Sequence, residues 1–426
     1  MRGGRSGNDP WRRRTVSGLM QVPTGLGDLS SWLAAMGFAL LAANCLLSGR
    51  FRWLTGLWSI DSVMRTHQWL GRLALAIFLA HPILYFDVPE TMSAIGYGWG
   101  ILALIFLVAL VMTALSRDEQ GYRYEAWRMS HGLLSLLVMV LGYGHILGSS
   151  GLVKRAPDLS LALLLCVLIA SGSLIWAYVG RPIMLAGRRF EVRSLACVAD
   201  RTWSLTLSQQ SGPVFSFRAG QFVWLRAKSP WNTVDHPFSL ASEPRADGTI
   251  EFLVKEAGDF TRALQQELPI GSPVYLDGPY GNFTLPVQSF APAGLLFIAG
   301  GIGLAPLLSI LRSIYSQEVP EQSLLACPVV LVVGNRHEGQ LLAQAELKAF
   351  SRRGLVVHQV VSEPSREWTG LVGQTDEQVL APLLPSDPRG WQVYVCGPGP
   401  MMDGVTRLLK SRGFRAAQIH SERFRT

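Results

Sequence analysis

The chain has 426 residues, 49% of them hydrophobic and 16% charged, with a mean hydropathy of +0.26. That is too apolar for an ordinary soluble protein and long enough for two or three domains. The net charge of +8 does not mark a nucleic-acid binder. Arg12 to Arg14, Arg50, Arg52, Arg117, Arg128, Arg181, Arg188 and Arg189 flank apolar runs instead of interleaving with aromatics, the inside-positive habit of membrane proteins. The five cysteines form no CxxC pair, which excludes a disulfide framework and a cysteine metal site.

Residues 1–28 are polar and rich in glycine and arginine, and are expected to be disordered. No apolar core follows Arg12 to Arg14 within reach, so they are not expected to form a twin-arginine signal. Over 29–182 five segments approach the roughly 20 apolar residues that span a bilayer: 30–48, 67–86, 97–116, 128–147 and 158–180. The loops 49–66 and 117–127 carry arginines, whereas 87–96 carries Asp87 and Glu90 and no cation. The charge bias puts the first two loops in the cytoplasm, as expected of a multi-pass protein of the cell (inner) membrane. The fifth helix then delivers the soluble half to the cytoplasm, and the arginine-bearing N-terminus falls outside, against the same bias.

Four of the eight histidines lie in two of these segments, His67 and His81 in one, His131 and His145 in the other. Each pair is 14 residues apart, which at ~100° per residue is four turns less ~40°, so both members share a helix face. The rise of ~1.5 Å per residue separates them by ~21 Å. One helix intervenes, so the two run parallel, and His67 stands level with His131, His81 with His145. Single imidazoles in a bundle serve as polar glue. Two pairs with one spacing point to axial ligation of two stacked haems, and two imidazoles per iron leave no open position, which suits electron transfer.

Residues 189–288 alternate as short strands between Gly and Pro turns: Phe190 to Cys197, Ser204 to Ser208, Phe222 to Ala227, Ile250 to Lys255 and Val274 to Asp277. They predict a small antiparallel barrel. Residues 289–426 switch to strand–helix alternation: Leu295 to Ala299, a helix from Pro306, Val329 to Gly334, a helix near Leu341 to Ser351, Leu355 to Val361, Gln392 to Cys396 and a helix from Pro400. They predict a parallel α/β sheet. The fold class is thus a membrane helical bundle of about five helices, an antiparallel β-barrel and an α/β nucleotide-binding domain. Gly300-Gly301-Ile302-Gly303-Leu304-Ala305-Pro306 follows an apolar strand and opens a helix, where glycines admit a phosphate and the helix N-terminus favours its charge. Pro stands where GxGxxG ends in Gly, so this is not a plain Rossmann fingerprint.

On these residues the soluble half resembles the ferredoxin–NADP reductase superfamily, and residues 30 to 426 resemble the ferric reductase and NADPH oxidase family. His236-Pro237-Phe238-Ser239 is similar to that family's flavin motif, and Phe217 to Phe222 to the strand before it. Lys255 to Thr261, with Gly258 and the Thr261 hydroxyl, is similar to the segment that holds the FAD pyrophosphate. Asp277 to Gly281 is similar to its DGPxG turn. Gly300, Gly301, Gly303 and Pro306 match its GGxGxxP nucleotide loop, and Cys396, Gly397, Pro398 and Met401 its nicotinamide-side CGPxxM. Phe424 resembles the near-terminal aromatic that covers the flavin until nicotinamide displaces it, which makes Phe424 and Cys396 the catalytic candidates. The family usually has six membrane helices; five are legible here.

The resemblance implies hydride transfer from NAD(P)H to FAD, then single electrons through two b-type haems to a ferric chelate or to dioxygen, giving superoxide. The other reading is an electron relay to a partner protein or quinone, although no feature indicates a protein partner. The expected surroundings are a lipid bilayer and no nucleic acid. Asn335 and Arg336 follow the second strand of the nucleotide domain, where Arg suits a ribose 2′-phosphate, so NADPH is expected to serve at least as well as NADH.

Overall fold

The structure is a computed structural model that describes residues 26–58, 60–84, 93–116, 124–148, 157–232, 234–286, 292–315 and 327–423. The chain divides into two compact units, with breaks at Leu54/Thr55, Ser59/Ile60 and Val179/Gly180.

The first unit is helical: α1 (Leu26–Ser48), α2 (Arg52–Leu57, which crosses the break), α3 (Ile60–Leu84), α4 (Ala94–Leu115), α5 (Tyr124–Gly148) and α6 (Pro157–Ile175). A π turn, Trp176–Gly180, ends α6, and the short α7 (Arg181–Ala186) follows in the second unit. Among the described residues four helical stretches are long and apolar enough to cross a membrane: Leu29–Ser48, Ala94–Leu115, Ala126–Gly148 and Pro157–Ala186. The fifth expected span, α3, has the length but a more polar sequence, because Arg65, Thr66, His67, Gln68, Arg72 and His81 interrupt it. Helix also occupies most of the expected 49–66 loop. Propagating a helix needs only the next backbone hydrogen bond, not apolar side chains, and Thr66 adds one from its hydroxyl to the Ser62 carbonyl at 2.9 Å.

The bundle core is Phe38, Leu41, Ala42, Cys45, Ala74, Leu107, Leu110, Val111, Val138, Met139, Leu163 and Ala170. Large apolar side chains also face outward, among them Ile105, Leu133, Leu161 and Leu168. A water-soluble bundle would hide them; a bilayer solvates them. The helices α3 and α5 pack chiefly against α1, α4 and α6 instead of against each other.

Among its described residues the second unit holds two six-stranded sheets. The first, in the order β4-β3-β6-β1-β2-β5, is antiparallel. Its strands are β1 (Phe190–Ala199), β2 (Thr202–Gln209), β3 (Phe222–Ala227), β4 (His236–Ser239), β5 (Thr249–Lys255) and β6 (Pro273–Tyr280). In β5 the inward Ile250, Phe252 and Val254 are buried at every second position, the strand period. A bridge between Leu240, just past β4, and Phe252 of β5 joins the two ends of the sheet and makes it a barrel. A one-turn helix, α8 (Asp259–Arg262), follows β5.

The second sheet is parallel, in the order β10-β9-β8-β7-β11-β12. Its strands are β7 (Gly294–Gly300), β8 (Val329–Asn335), β9 (Leu355–Val361), β10 (Leu371–Val372), β11 (Trp391–Gly397) and β12 (Ile419–Arg423), with helices α9 (Leu304–Tyr315), α10 (Gln344–Ser351) and α11 (Gly399–Ser411). Strand β7, Gly-Leu-Leu-Phe-Ile-Ala-Gly, is buried throughout, as a central parallel strand covered on both faces must be. Strands β4, β10 and β12 were not legible as strands, because each is only two to five residues long, and β4 and β12 are also half or more polar.

Arg312 of α9 ties barrel and sheet together. Its guanidinium meets Glu251 of β5 at 2.8 Å, Glu346 of α10 at 2.7 Å and the Ala241 carbonyl at 2.9 Å. Ser309, one turn earlier, donates to the Ser242 carbonyl at 2.6 Å.

Candidate functional site

The four membrane histidines come together as two facing pairs. Ring centres are 6.3 Å apart for His67 and His131 and 6.1 Å apart for His81 and His145. The local geometry aims the rings. His67 Nδ1 donates to the Asn44 carbonyl at 3.1 Å and His145 Nδ1 to the Gly96 carbonyl at 3.0 Å. His81 Nδ1 lies 2.7 Å from Ser30 Oγ and 3.3 Å from the Ser30 carbonyl. A carbonyl only accepts, so the proton of His67 and His145 sits on Nδ1 and the Nε2 lone pair is left free, the state in which imidazole ligates a metal. Helix α4 approaches closely here: a Cβ on Gly100 would lie 2.4 Å from His145 Nδ1. His131 is the exception. Its Nδ1 is buried with no hydrogen-bond partner, and the Trp127 ring lies 5.2 Å away.

The spacing fits a metal between each pair. Two metal–nitrogen bonds of about 2 Å, plus about 1 Å from each nitrogen to its ring centre, put trans imidazoles about 6 Å apart. Among the described residues no group of three or more His, Cys, Asp or Glu could hold a metal.

In the reductase unit the flavin-motif residues cluster on the barrel. His236 and Pro237 open β4, and the His236 ring stacks on Phe260 of α8 at 3.7 Å with 16° between planes. Phe238 lies 6.4 Å from both rings. Thus His236 to Ser239 and Lys255 to Thr261, distant in sequence, meet at one end of the barrel. The Thr261 hydroxyl accepts from the Ala257 and Gly258 amides at 2.9 and 3.0 Å, gathering the two N–H groups into one turn. The buried pair Arg226 and Asp235, 3.6 Å apart, fixes the approach to His236. Arg181 and Asp277, also 3.6 Å apart and buried, with Tyr280 OH on Asp277 at 2.8 Å, fix the Asp277 to Gly281 turn.

Where barrel meets sheet, Ser239, Cys396 and Glu422 converge. Ser239 Oγ is 3.5 Å from Glu422 Oε1, and Glu422 pairs in register with Cys396 across β12 and β11. Burial, then the Glu422 charge, pushes the Cys396 thiol well above its usual pKa. A buried, protonated thiol is a poor nucleophile, so any role of Cys396 in the chemistry is one of shape.

The glycine loops pack backbone on backbone. Gly301 has φ +55°, and a Cβ on Gly303 would stand 2.2 Å from the Cys396 carbonyl oxygen. Helix α9 starts at Leu304, with Pro306 in its first turn. A Cβ on Gly300 would lie 2.6 Å from Met401 Sδ and 2.7 Å from Pro398 Cδ, and one on Gly397 2.7 Å from Met401 Cε. Together they floor a cavity of about 1090 Å³, whose walls include Asn335, Arg336, Glu363 and Arg407. Lys255 lines this cavity too, its Nζ 3.9 Å from the place of a Cβ on Gly301. It reaches the nucleotide loop from the end of β5, just before the chain bends into α8. Arg336 Nε donates to Glu363 Oε1 at 2.7 Å. Phe424 lies outside the described residues.

Reasoning from sequence missed Glu363, the pairing of Glu422 with Ser239, and the orphaned side chain of Asn335, whose Oδ1 and Nδ2 are buried without partners. Asn335 was signalled by its place at the end of a β-strand before Arg336, and Glu422 by its place in the tail two residues before Phe424.

Comparison with known proteins bears on both units. Residues 33–142 match the ferric reductase like transmembrane component, 188–284 an FAD-binding domain and 297–407 an oxidoreductase NAD-binding domain. In that order they match the architecture of the ferric reductase and NADPH oxidase family. The chain is 32% identical over 187 residues to NADH-cytochrome b5 reductase 1 of Kluyveromyces lactis, covering 43% of this chain and 63% of that one. It is 27% identical over 252 residues to the glycine betaine monooxygenase reductase subunit of Chromohalobacter salexigens, covering 57% and 63%. The chain therefore spans less than two thirds of the length of these relatives. Among solved structures it is similar to the ferredoxin reductase in carbazole 1,9a-dioxygenase, with TM-score 0.48, 27% identity and coverage of 56% and 69%.

Proposed function

We propose that the protein carries electrons from NAD(P)H through FAD and two b-type haems across the cell (inner) membrane to a small acceptor, a ferric chelate or dioxygen. The observation that carries this reading is the pair of imidazole pairs, each at metal-bridging distance and with the Nδ1 of three rings anchored. His67 with His131 would hold one haem and His81 with His145 the other. When bound, FAD supplies the conversion of a two-electron hydride into single electrons, and the haems supply one-electron steps.

The residues of the chain do the rest. The Gly300 to Gly303 loop and the N-terminus of α9 receive the nucleotide pyrophosphate, with Lys255 offering its ammonium beside Gly301. Gly397, Pro398 and Met401 shape the nicotinamide end, and Cys396 holds a protonated, water-free wall there. His236 to Ser239, Gly258 and Thr261 hold the flavin, and Phe424 would cover it until nicotinamide arrives. The arginines of 49–66 and 117–127 favour the cytoplasm for the side from which NAD(P)H is drawn. A second reading, delivery of electrons to a partner protein, draws support from relatives named as electron transfer components of anthranilate and toluate 1,2-dioxygenases.

Absorbance of the purified protein in detergent tests both. Under argon, NAD(P)H should bleach the flavin and then reduce haem, and ferric citrate or air should reoxidise it with no partner present. A quantitative haem assay that finds fewer than two haems per chain overturns the two-haem reading. Haem that stays reduced in air and ferric citrate favours the relay.

A further inference from the structure

We infer that the ribose corner of the nucleotide cavity selects NADH over NADPH, and that Glu363 makes the choice by claiming Arg336. The inference rests on the proposed NAD(P)H-to-FAD reaction and names its donor, in place of the NADPH expected from Arg336 alone.

Arg336 and Glu363 leave neighbouring parallel strands at the same end of the sheet. Asn335 ends β8 in register with Val361, the end of β9. The two turns are then bonded to each other, Ser362 N to the Asn335 carbonyl at 3.1 Å and Glu363 N to the Arg336 carbonyl at 2.9 Å. This backbone clamp holds the Glu363 carboxylate beside the guanidinium. Its Oε1 accepts from Arg336 Nε at 2.7 Å and its Oε2 lies 3.7 Å from His337 Nε2. Both Arg336 and Glu363 line the cavity. This is the carboxyl end of a parallel sheet, where nucleotides bind and where an acidic side chain suits a free ribose 2′-hydroxyl.

The two ligands face different tasks here. A hydroxyl can donate to Glu363 and leave the ion pair intact. A 2′-phosphate must draw Arg336 from its partner and then sit against a carboxylate. Arg336 and Glu363 side chains are 67% and 51% exposed, so solvent screens the contest, and the discrimination is about tenfold instead of a thousandfold. Asn335 serves what both coenzymes share. Its buried amide has no partner of its own, and Oδ1 lies 4.0 Å from the place of a Cβ on Gly301.

The test is anaerobic stopped-flow reduction of the flavin in the full-length holoprotein by NADH and by NADPH, with equilibrium binding of AMP and 2′-phospho-AMP as probes. The parent should favour NADH about tenfold or more in reduction rate over dissociation constant. Glu363→Gln should shift that ratio about tenfold toward NADPH, through tighter 2′-phospho-AMP binding. Adding Arg336→Ala to Glu363→Gln should undo the gain. Asn335→Ala should weaken both nucleotides alike and leave the ratio unchanged. A parent that prefers NADPH, a ratio unmoved by Glu363→Gln, or an NADPH preference that Arg407→Ala removes would overturn the assignment. If neither nucleotide reduces the flavin, the proposed donor reaction itself fails, and the two AMP probes still read the choice at the ribose corner.

Discussion

The membrane unit and the reductase unit place their chemistry in opposite ways. In the membrane unit the candidate ligands are four histidines on two helices, and helix geometry alone puts the two histidines of each helix on one face. In the reductase unit no single element carries the chemistry. Ser239, Cys396 and Glu422 come from three strands in two sheets, and the nucleotide cavity takes residues from β5, β7, β8, β11 and the turns after them. A periodic site is cheap to encode but has no redundancy, whereas a site assembled from loops can lose one member and keep its outline.

Breaking one imidazole pair should have the largest effect. His67→Ala or His131→Ala should halve the haem content and lower acceptor reduction at least about 100-fold, while flavin reduction by nucleotide persists. His81→Ala or His145→Ala should do the same through the other pair. A pyridine-extract haem assay with stopped-flow flavin traces checks both halves. Loss of flavin reduction as well would mean the two units fold as one.

Gly303→Ala tests the loops. Its Cβ would meet the Cys396 carbonyl at 2.2 Å, and backbone cannot rotate away as a side chain can. The expected cost is about 1–3 kcal/mol of stability, with nucleotide affinity reduced about tenfold and haem content unchanged. Isothermal titration with NAD and NADP measures the affinity.

Arg312→Met tests what joins barrel to sheet. The change leaves Glu251 and Glu346 facing each other half-buried without their cation. Discounted for partial exposure, the loss is about 1–3 kcal/mol. A melting curve of the flavin fluorescence should fall by several degrees, and a triple variant that also carries Glu251→Gln and Glu346→Gln should recover part of it.

The smallest effect concerns Cys396. Its folded pKa is raised from the usual 9.0 by burial and then by Glu422. The folded state therefore keeps a proton that the unfolded state loses. The stability this adds is fully present below about pH 9 and is lost as pH rises above it. Thiol alkylation at neutral pH should modify the exposed Cys197 and spare Cys396, which mass spectrometry reads directly. Rapid labelling of Cys396 in the folded protein would show that the wall it forms is open.

By itself the sequence determined what depends on local repetition. Apolar length announced the membrane helices, a 14-residue interval announced the histidine pairs, and alternation marked the barrel strands. The glycine loops were legible because close approach leaves only one residue type. It could not determine which side chains answer each other across distant segments. The pairing of Arg336 with Glu363 appears only once β9 lies beside β8, and the approach of Lys255 to Gly301 only once β5 ends there. Charge pairing is non-local and has no period, so only the tertiary structure could decide it.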